Sequence, residues 1–95
     1  MSAVTLRNNS EQHRYELVDN GEVVGFAEYT LDGDAVVFTH TEVGEGHEGK
    51  GYGSQLAKLA LDDAVAADRK IVARCEFIAA YASRHPEYGD ALKPR

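Results

Sequence analysis

The sequence is poor in several residue types, and each shortage excludes a class of function. Only one cysteine occurs in 95 residues, so the chain cannot close an internal disulfide or build a zinc site from several cysteines. No apolar run is long enough to span a bilayer, and the N-terminal residues lack the basic and apolar segments of a secretory signal. We therefore expect a cytoplasmic protein that makes no membrane contact.

Basic side chains are also scarce. Lysine and arginine number 10 against 16 aspartates and glutamates, which gives a net charge of −6. General binding to nucleic acid depends on neutralising phosphates with lysine and arginine, so we expect no nucleic-acid partner. The excess of acidic residues favours solubility and also favours a cationic partner. His13 and His47 have no partners at metal-ligand spacing, and we expect no metal site.

The first half of the chain has the pattern of a β-meander. The length predicts one domain over residues 1–95, with a core at about 4–88 and a loose tail at 89–95. Runs with strand character occur at 4–8, 13–18, 23–31 and 35–43. Asp19-Asn20-Gly21 and Asp32-Gly33-Asp34 are turn signals between these runs. Such tight turns predict antiparallel pairing.

The second half predicts helices around one further strand. After a glycine-rich loop at 44–53, apolar residues recur at helical spacing over 54–67. A short apolar strand at 71–75 follows, then a second helix at 77–85 that Pro86 stops. A strand after a helical crossover is most simply parallel to strand 35–43. The fold class is therefore α/β (α+β): an antiparallel β-meander, a glycine loop, a helix, a parallel strand and a C-terminal helix.

The glycine-rich loop is the most informative motif. Gly49, Gly51 and Gly53 alternate directly before the first helix, so the backbone can turn tightly and approach a ligand without Cβ interference. The start of a helix presents unpaired N–H groups and the positive end of the helix dipole. A phosphate is the ligand that this arrangement favours.

Several phosphate-loop motifs compete for this segment. Gly44, Gly46 and Gly49 fit the dinucleotide fingerprint, which needs a larger doubly wound sheet. Gly49-Lys50 fits a P-loop, but Gly51 stands where a hydroxyl should hold magnesium. Residues 48–53 fit the Q/R-x-x-G-x-G/A pyrophosphate loop of acyl-CoA acetyltransferases, with glutamate at the first position. A glycine-rich helix start without a ligand is the remaining interpretation.

Several motifs in order give the chain a family resemblance. They are His40-Thr41-Glu42-Val43, then Glu48-Gly49-Lys50-Gly51-Tyr52-Gly53-Ser54, then Cys75, then Tyr81-Ala82-Ser83-Arg84-His85-Pro86-Glu87-Tyr88. From about residue 15 to 88 the chain resembles the compact, single-domain branch of the GNAT N-acetyltransferase superfamily, the GNAT-like or YjdJ-type N-acetyltransferases.

The resemblance implies a GNAT-like fold that binds acetyl-CoA as co-substrate. It also implies a cofactor loop made of Gly49, Lys50, Gly51, Tyr52, Gly53 and Ser54, with the pantetheine of CoA between two splayed parallel strands. Cys75 matches the cysteine regarded as the candidate catalytic residue of the family. The chain lacks room for the two helices that follow the first strand in the wider superfamily, so we expect an open acceptor groove.

Acetyl transfer to an amine needs a group that takes a proton and a donor that stabilises the thioester oxygen. His40 and Glu42 lie two apart on one strand and share a face, so either can be the base, or both can be a solvent-facing polar pair. A backbone N–H on the strand that ends at Val43 is a candidate oxyanion and cofactor contact.

Cys75 and the second helix supply further candidates. A thiolate at Cys75 can accept the acetyl group and pass it on, although an inert core thiol and direct transfer without a covalent intermediate are equal alternatives. Tyr81 can protonate the departing thiolate or belong to the core. Arg84 and His85 can meet CoA phosphates or be solvated charges at a helix end.

Two functions of different classes remain at this point. The first is an acetyl-CoA-dependent N-acetyltransferase that acts on a primary amine of a basic peptide, a protein or a small polyamine. The alternative is a non-catalytic CoA-binding or protein-interaction module, because the helices that shape an acceptor site are missing.

Overall fold

The structure, a computed structural model, describes residues 4–44 and 51–92. Its centre is one five-stranded sheet with the strands in chain order. The strands are β1 (Val4–Asn9), β2 (Arg14–Asp19), β3 (Glu22–Asp32), β4 (Ala35–Val43) and β5 (Lys70–Ala73). Pairing from β1 to β4 is antiparallel, whereas β5 runs parallel to β4. The predicted β-meander and parallel last strand are therefore confirmed.

Two helices complete the predicted order. Helix α1 (Tyr52–Ala66) connects β4 to β5, and helix α2 (Glu76–Ser83) follows β5 and leads into a 3-10 turn (Pro86–Tyr88). Helix α1 begins two residues earlier than the sequence predicts, so Tyr52 and Gly53 belong to its first turn. None of the helices in the described ranges is long and apolar enough to cross a membrane.

The turn between β2 and β3 shows why the meander is tight. Asn20 and Gly21 have positive φ angles of 54° and 80°. Both central residues of a type I′ hairpin turn need positive φ, and Asn-Gly adopts that conformation most readily. The turn therefore follows directly from the dipeptide.

One face of the sheet carries the hydrophobic core. Both helices pack on this face, because their buried side chains join those of the strands in one cluster. It includes Tyr15, Leu17, Ala27, Tyr29 and Phe38 from the strands, Leu56, Ala60 and Ala64 from α1, and Ile78, Tyr81 and Ala82 from α2. We call this the helix face of the sheet.

The opposite face, which we call the open face, carries polar cross-strand rows. Residues directly opposite each other on paired strands share a face. The register gives the rows Arg7–Glu16–Phe26–Glu42 and Asn9–Arg14–Glu28–His40. Within the described residues, no helix packs over these rows.

Glu16 is the least expected feature of the open face. Strand alternation between Tyr15 and Leu17 predicts a solvated carboxylate, yet Glu16 is only 1% exposed. The Nε groups of Arg7 and Arg14 each donate a hydrogen bond of 2.8 Å to its carboxylate. Burial alone would raise the pKa of Glu16, but hydrogen bonds from Arg7, Arg14 and Asn9 outweigh burial and lower it.

Tyrosine hydroxyls fix the helices to the rest of the protein. Tyr15 on β2 donates to Asp63 of α1 at 2.8 Å, and Tyr88 donates to Asp62 at 2.6 Å. Burial, reinforced by these carboxylates, raises the pKa of both tyrosines. Both remain neutral donors at physiological pH, so Tyr15 joins α1 to the sheet and Tyr88 joins the 3-10 turn to α1.

The end of the chain differs from the predicted loose tail. The Ile71 N–H donates to the Ala91 carbonyl at 2.8 Å, and Leu92 forms a parallel bridge with Ile71. Both Ala91 and Leu92 are partly buried against the core. Residues 89–92 therefore cover the outer edge of β5, whose backbone groups would otherwise need water; residues 93–95 lie outside the described part of the chain.

Candidate active site

A crevice opens where β4 and β5 separate. The two strands pair only from Ala35 to Phe38 on β4. The N–H groups of Arg74 and Cys75 then both donate to the Phe38 carbonyl at 3.0 Å, and the chain turns into α2. Beyond Phe38, β4 continues with no β5 neighbour within the described residues. The crevice thus lies at the carboxyl ends of two parallel strands, where ligands of α/β folds usually bind.

The backbone of β4 directs N–H groups into this crevice. Gly44 donates its N–H to Val24 of β3 at 2.7 Å. Because successive residues of a strand direct their N–H groups to opposite sides, the N–H groups of Val43 and Thr41 point away from β3, towards the crevice. The sequence predicts a backbone donor near Val43, and the strand geometry adds Thr41 as a second.

Helix α1 begins at the edge of the same crevice. Its N-cap is Gly51 in the left-handed conformation, with φ of 76°, no capping side chain and no acidic residue in the first turn. The start of a helix presents N–H groups that have no intrahelical acceptor and the positive end of the dipole, and both attract an anion. Of the predicted loop, Glu48, Gly49 and Lys50 lie outside the described residues.

Two residues of the predicted loop that the structure describes, Ser54 and Tyr52, have different environments. Ser54 is exposed, whereas Tyr52 is 9% exposed and donates its hydroxyl to Asp19. That hydrogen bond, followed by burial, raises the pKa of Tyr52. The Tyr52 side chain therefore anchors α1 to the end of β2, and only its backbone faces the anion-binding end.

Gly53 brings the starts of the two helices together. A Cβ atom added to Gly53 would lie 2.8 Å from Cζ of Phe77, closer than such atoms approach in proteins. The phenyl ring of α2 thus packs over the first turn of α1. This contact gives Gly53 a packing role that the glycine spacing alone does not reveal.

Cys75 stands at the mouth of the crevice. It is the N-cap of α2, partly buried and free of any disulfide. Its thiol donates a hydrogen bond of 3.3 Å to the Thr41 hydroxyl on β4. Sequence reasoning missed Thr41, since nothing in a lone threonine on a strand indicates a partner 34 residues later in the chain.

His40 and Glu42 lie together, but on the other side of β4. Their side chains approach to 3.1 Å between Nε2 and Oε1, and they are 53% and 58% exposed. The register places both on the open face, opposite Glu28 and Phe26, whereas Thr41 pairs with Ala27 on the helix face. The sheet therefore separates this polar pair from the Cys75 thiol.

The remaining predicted residues lie farther along α2. Tyr81 is 6% exposed and stacks on His85, with 4.0 Å between ring centroids, and burial raises the pKa of Tyr81. Arg84 is the exposed C-cap of the helix. At 1.5 Å per residue, Tyr81 lies about 9 Å and Arg84 about 13 Å along the helix from Cys75. These residues therefore lie farther along α2 than Cys75, and their assignment as cofactor contacts stays a prediction.

The described part of the chain holds no group of three histidine, cysteine or carboxylate side chains that could bind a metal ion. The groups that the described residues place at the crevice are backbone N–H groups and a thiol, and a histidine–carboxylate pair lies on the opposite face of β4.

Comparisons with known proteins agree with this architecture. The family model described as GCN5-related N-acetyltransferase matches residues 14–91, which include β4, α1, Cys75 and α2. A solution structure of a GCN5-like candidate N-acetyltransferase from Staphylococcus aureus superposes with a TM-score of 0.71. It covers 100% of this chain and 93% of the other at 22% identity, so it is evidence for the fold alone. No curated protein sequence matches this chain.

The family match identifies no branch, and the YjdJ-type assignment stays a prediction. The match covers most of the chain, and the separated strands β4 and β5 and the glycine before α1 agree with it. This protein belongs to the GCN5-related N-acetyltransferase family.

Proposed function

We propose that this protein transfers an acetyl group from acetyl-CoA to a primary amine. The observation that carries the proposal is the crevice between β4 and β5, which meets the start of α1 with its N-cap Gly51 at one end. In the reaction the amine nitrogen attacks the thioester carbon and a C–N bond forms. The C–S bond breaks, CoA leaves as a thiolate, and the amine loses a proton to a base.

The start of α1 is suited to the pyrophosphate of CoA. The left-handed Gly51, the exposed Ser54 and the absence of acidic residues in the first turn support binding of phosphate oxygens at this helix start. Gly49 and Lys50 complete the proposed loop on the family resemblance. The N–H groups of Thr41 and Val43 are suited to the pantetheine arm and the thioester oxygen, where negative charge develops in the transition state.

The open face is suited to a cationic acceptor. The carboxylates of Glu28 and Glu42 border His40 there. Arg7 at the far end of one row and Arg14 opposite Glu28 are both engaged with Glu16. With the net charge of −6, this distribution favours an amine carried by a basic peptide, a protein or a polyamine.

Two routes to the product use different faces of the sheet. In direct transfer, His40 or Glu42 takes the amine proton on the open face. In covalent transfer, Cys75 accepts the acetyl group on the helix face, and the amine attacks this new thioester through the crevice. Tyr81, Arg84 and His85 lie farther along α2, and on the family resemblance they are proposed contacts of the cofactor.

A titration with acetyl-CoA followed by an assay of CoA release tests the function. We expect binding in the micromolar range, equivalent to about −8 kcal/mol. We expect CoA release with a lysine peptide or spermidine and none with a neutral alcohol. Binding without release for any amine would instead support a non-catalytic CoA-binding module, and absence of binding would overturn both functions.

A further inference from the structure

We infer that the Phe77 ring forms the wall of the crevice that contacts the pantetheine arm of CoA, an inference that rests on the proposed function. Phe77 is an exposed large apolar side chain at the start of α2, two residues after Cys75. Its ring packs over Gly53 in the first turn of α1. It thus lies between the anion-binding end of α1 and the Cys75 thiol.

The exposure of Phe77 is not explained by the packing of the protein itself. Phe77 is 40% exposed although the tip of its ring packs against Gly53 of α1. The other large exposed apolar residues in the described ranges lie away from the crevice, with Val23 and Leu31 near hairpin turns and Val65 near the end of α1. An apolar surface kept at a ligand crevice indicates contact with an apolar part of the ligand.

The chemistry of CoA fits this position. With its pyrophosphate at the start of α1 and its thioester beside Thr41 and Cys75, the connecting arm must pass the junction of the two helices. That arm is uncharged and carries a branched dimethyl group next to the pyrophosphate. A phenyl face offers dispersion and hydrophobic contact to such a group and also keeps water from the thioester.

Two probes separate this contact from a general effect on the site. CoA contains the arm, whereas adenosine 3′-phosphate 5′-diphosphate has the same phosphates without it. We expect Phe77→Ser to weaken CoA binding about tenfold, because roughly 60–100 Å² of ring surface is available for burial. Affinity for the nucleotide should stay within about twofold.

Matched variants complete the design. Val65→Ser removes a similarly exposed apolar side chain, at 44% exposure, and should leave both affinities unchanged. Phe77→Leu retains an apolar but smaller group, and about a threefold loss for CoA alone is expected; this variant decides the question if Phe77→Ser does not fold.

Equal losses for both probes would mean that Phe77 acts through the packing of α1, and unchanged CoA affinity would mean that the ring does not touch the arm. Either result overturns the inference while leaving the proposed function intact. Failure of the wild-type protein to bind CoA would overturn the proposed function itself.

Discussion

Cys75 and the His40–Glu42 pair lie on opposite faces of β4, so single substitutions distinguish covalent from direct transfer. Each side chain has its own neighbour: the thiol bonds to Thr41, and the imidazole approaches the carboxylate. A change on one face leaves the contacts of the other face unchanged, which keeps the effects of the two substitutions separable.

Cys75→Ala tests the covalent route. If the thiol accepts the acetyl group, wild-type protein mixed with acetyl-CoA gains one acetyl group in intact-mass spectrometry, and Cys75→Ala gains none. Thr41→Val, which removes the hydroxyl that accepts the thiol hydrogen bond, serves as a nearby variant that retains the cysteine. An unmodified wild-type protein with an unchanged rate in Cys75→Ala would restrict this residue to packing.

Glu42→Gln tests the base. A lysine amine titrates near 10.4 in water, so some group must help to remove its proton at neutral pH. We expect Glu42→Gln to lower turnover at least roughly tenfold with acetyl-CoA affinity nearly intact, and His40→Gln to show a similar or smaller loss. Glu11→Gln, in the distant turn before β2, is the control. Unchanged rates and pH profiles in both variants would mean that water alone serves as base.

At the level of strands and helices, the first turn of α1 determines whether the crevice can hold an anion. This turn is fixed from two sides, by the hydrogen bond of Tyr52 to Asp19 and by the Phe77 ring over Gly53. A ligand that binds backbone N–H groups therefore meets a preformed site, which lowers the entropy cost of binding.

Gly51→Val and Gly51→Ala test this site. The φ of 76° strains any side chain there by about 1–2 kcal/mol, although among the described residues a Cβ atom would meet only Gln55 Nε2 at 3.9 Å. We expect both variants to fold and to lose CoA affinity, with valine losing more. Gly33→Ala, also at positive φ with open space, should lose comparable stability and keep full affinity. Normal CoA binding by folded Gly51→Val would contradict the pyrophosphate assignment.

Glu16→Gln tests the ion pairs of the open face. We expect a loss of roughly 1–3 kcal/mol in unfolding free energy at pH 7, modest because Arg7 is itself 60% exposed. The folded-state pKa of Glu16 is lowered from 4.5. The stabilisation that the ionised Glu16 contributes is therefore present above pH 4.5 and is lost as pH falls through the lower folded-state pKa. The difference between the two proteins in chemical denaturation should shrink at acid pH, and a pH-independent difference would refute this origin.

The element order was predictable because each strand and helix has a strong local pattern. The bounds of β4 agree with the sequence pattern, and Asn20-Gly21 fixes its turn through φ alone. What could not be predicted depends on pairing between distant segments. The pairing register between β3 and β4 shifts at Thr39, so the consecutive residues Thr39 and His40 are both exposed. The burial of Glu16 depends on Arg7 and Arg14, which come from other positions in the sheet.

For the site, too, local features were predictable and contacts between distant segments were not. The glycine spacing predicted an anion-binding helix start, and local sequence placed His40 beside Glu42. The Thr41–Cys75 contact and the Gly53–Phe77 contact join separate elements, and a single sequence carries no signal for them. The position of Arg84 as the C-cap likewise depends on where α2 begins and ends.

For the whole molecule, stability depends on a single core that is covered from one side. Both helices and the 3-10 turn pack on the helix face, and the segment at 89–92 closes the outer edge of β5. A small domain buries a limited apolar surface and has a small net free energy of unfolding, so peripheral apolar residues contribute measurably to its stability.

Leu92→Ala tests the contribution of the C-terminal segment. Leu92 is partly buried against the core, and we expect the variant to lose about 1–2 kcal/mol, less than a fully buried leucine would. Leu31→Ala removes the same side chain where it is 51% exposed, and it should change stability by less than about 0.5 kcal/mol. Thermal or denaturant unfolding measures both, and equal effects would mean that the end of the chain is as loose as its sequence suggests.

Within the described residues the edge of β4 beyond Phe38 has no neighbouring strand, and such an edge is a template for a foreign strand. Unpaired backbone groups on an exposed strand edge recruit segments of other chains, so the ligand-free protein should self-associate at high concentration. Mutual repulsion from the net charge of −6 opposes this association, and salt weakens the repulsion. Light scattering should therefore rise with ionic strength and fall when CoA fills the crevice. Colloidal stability, and not only turnover, would then depend on occupancy of the site.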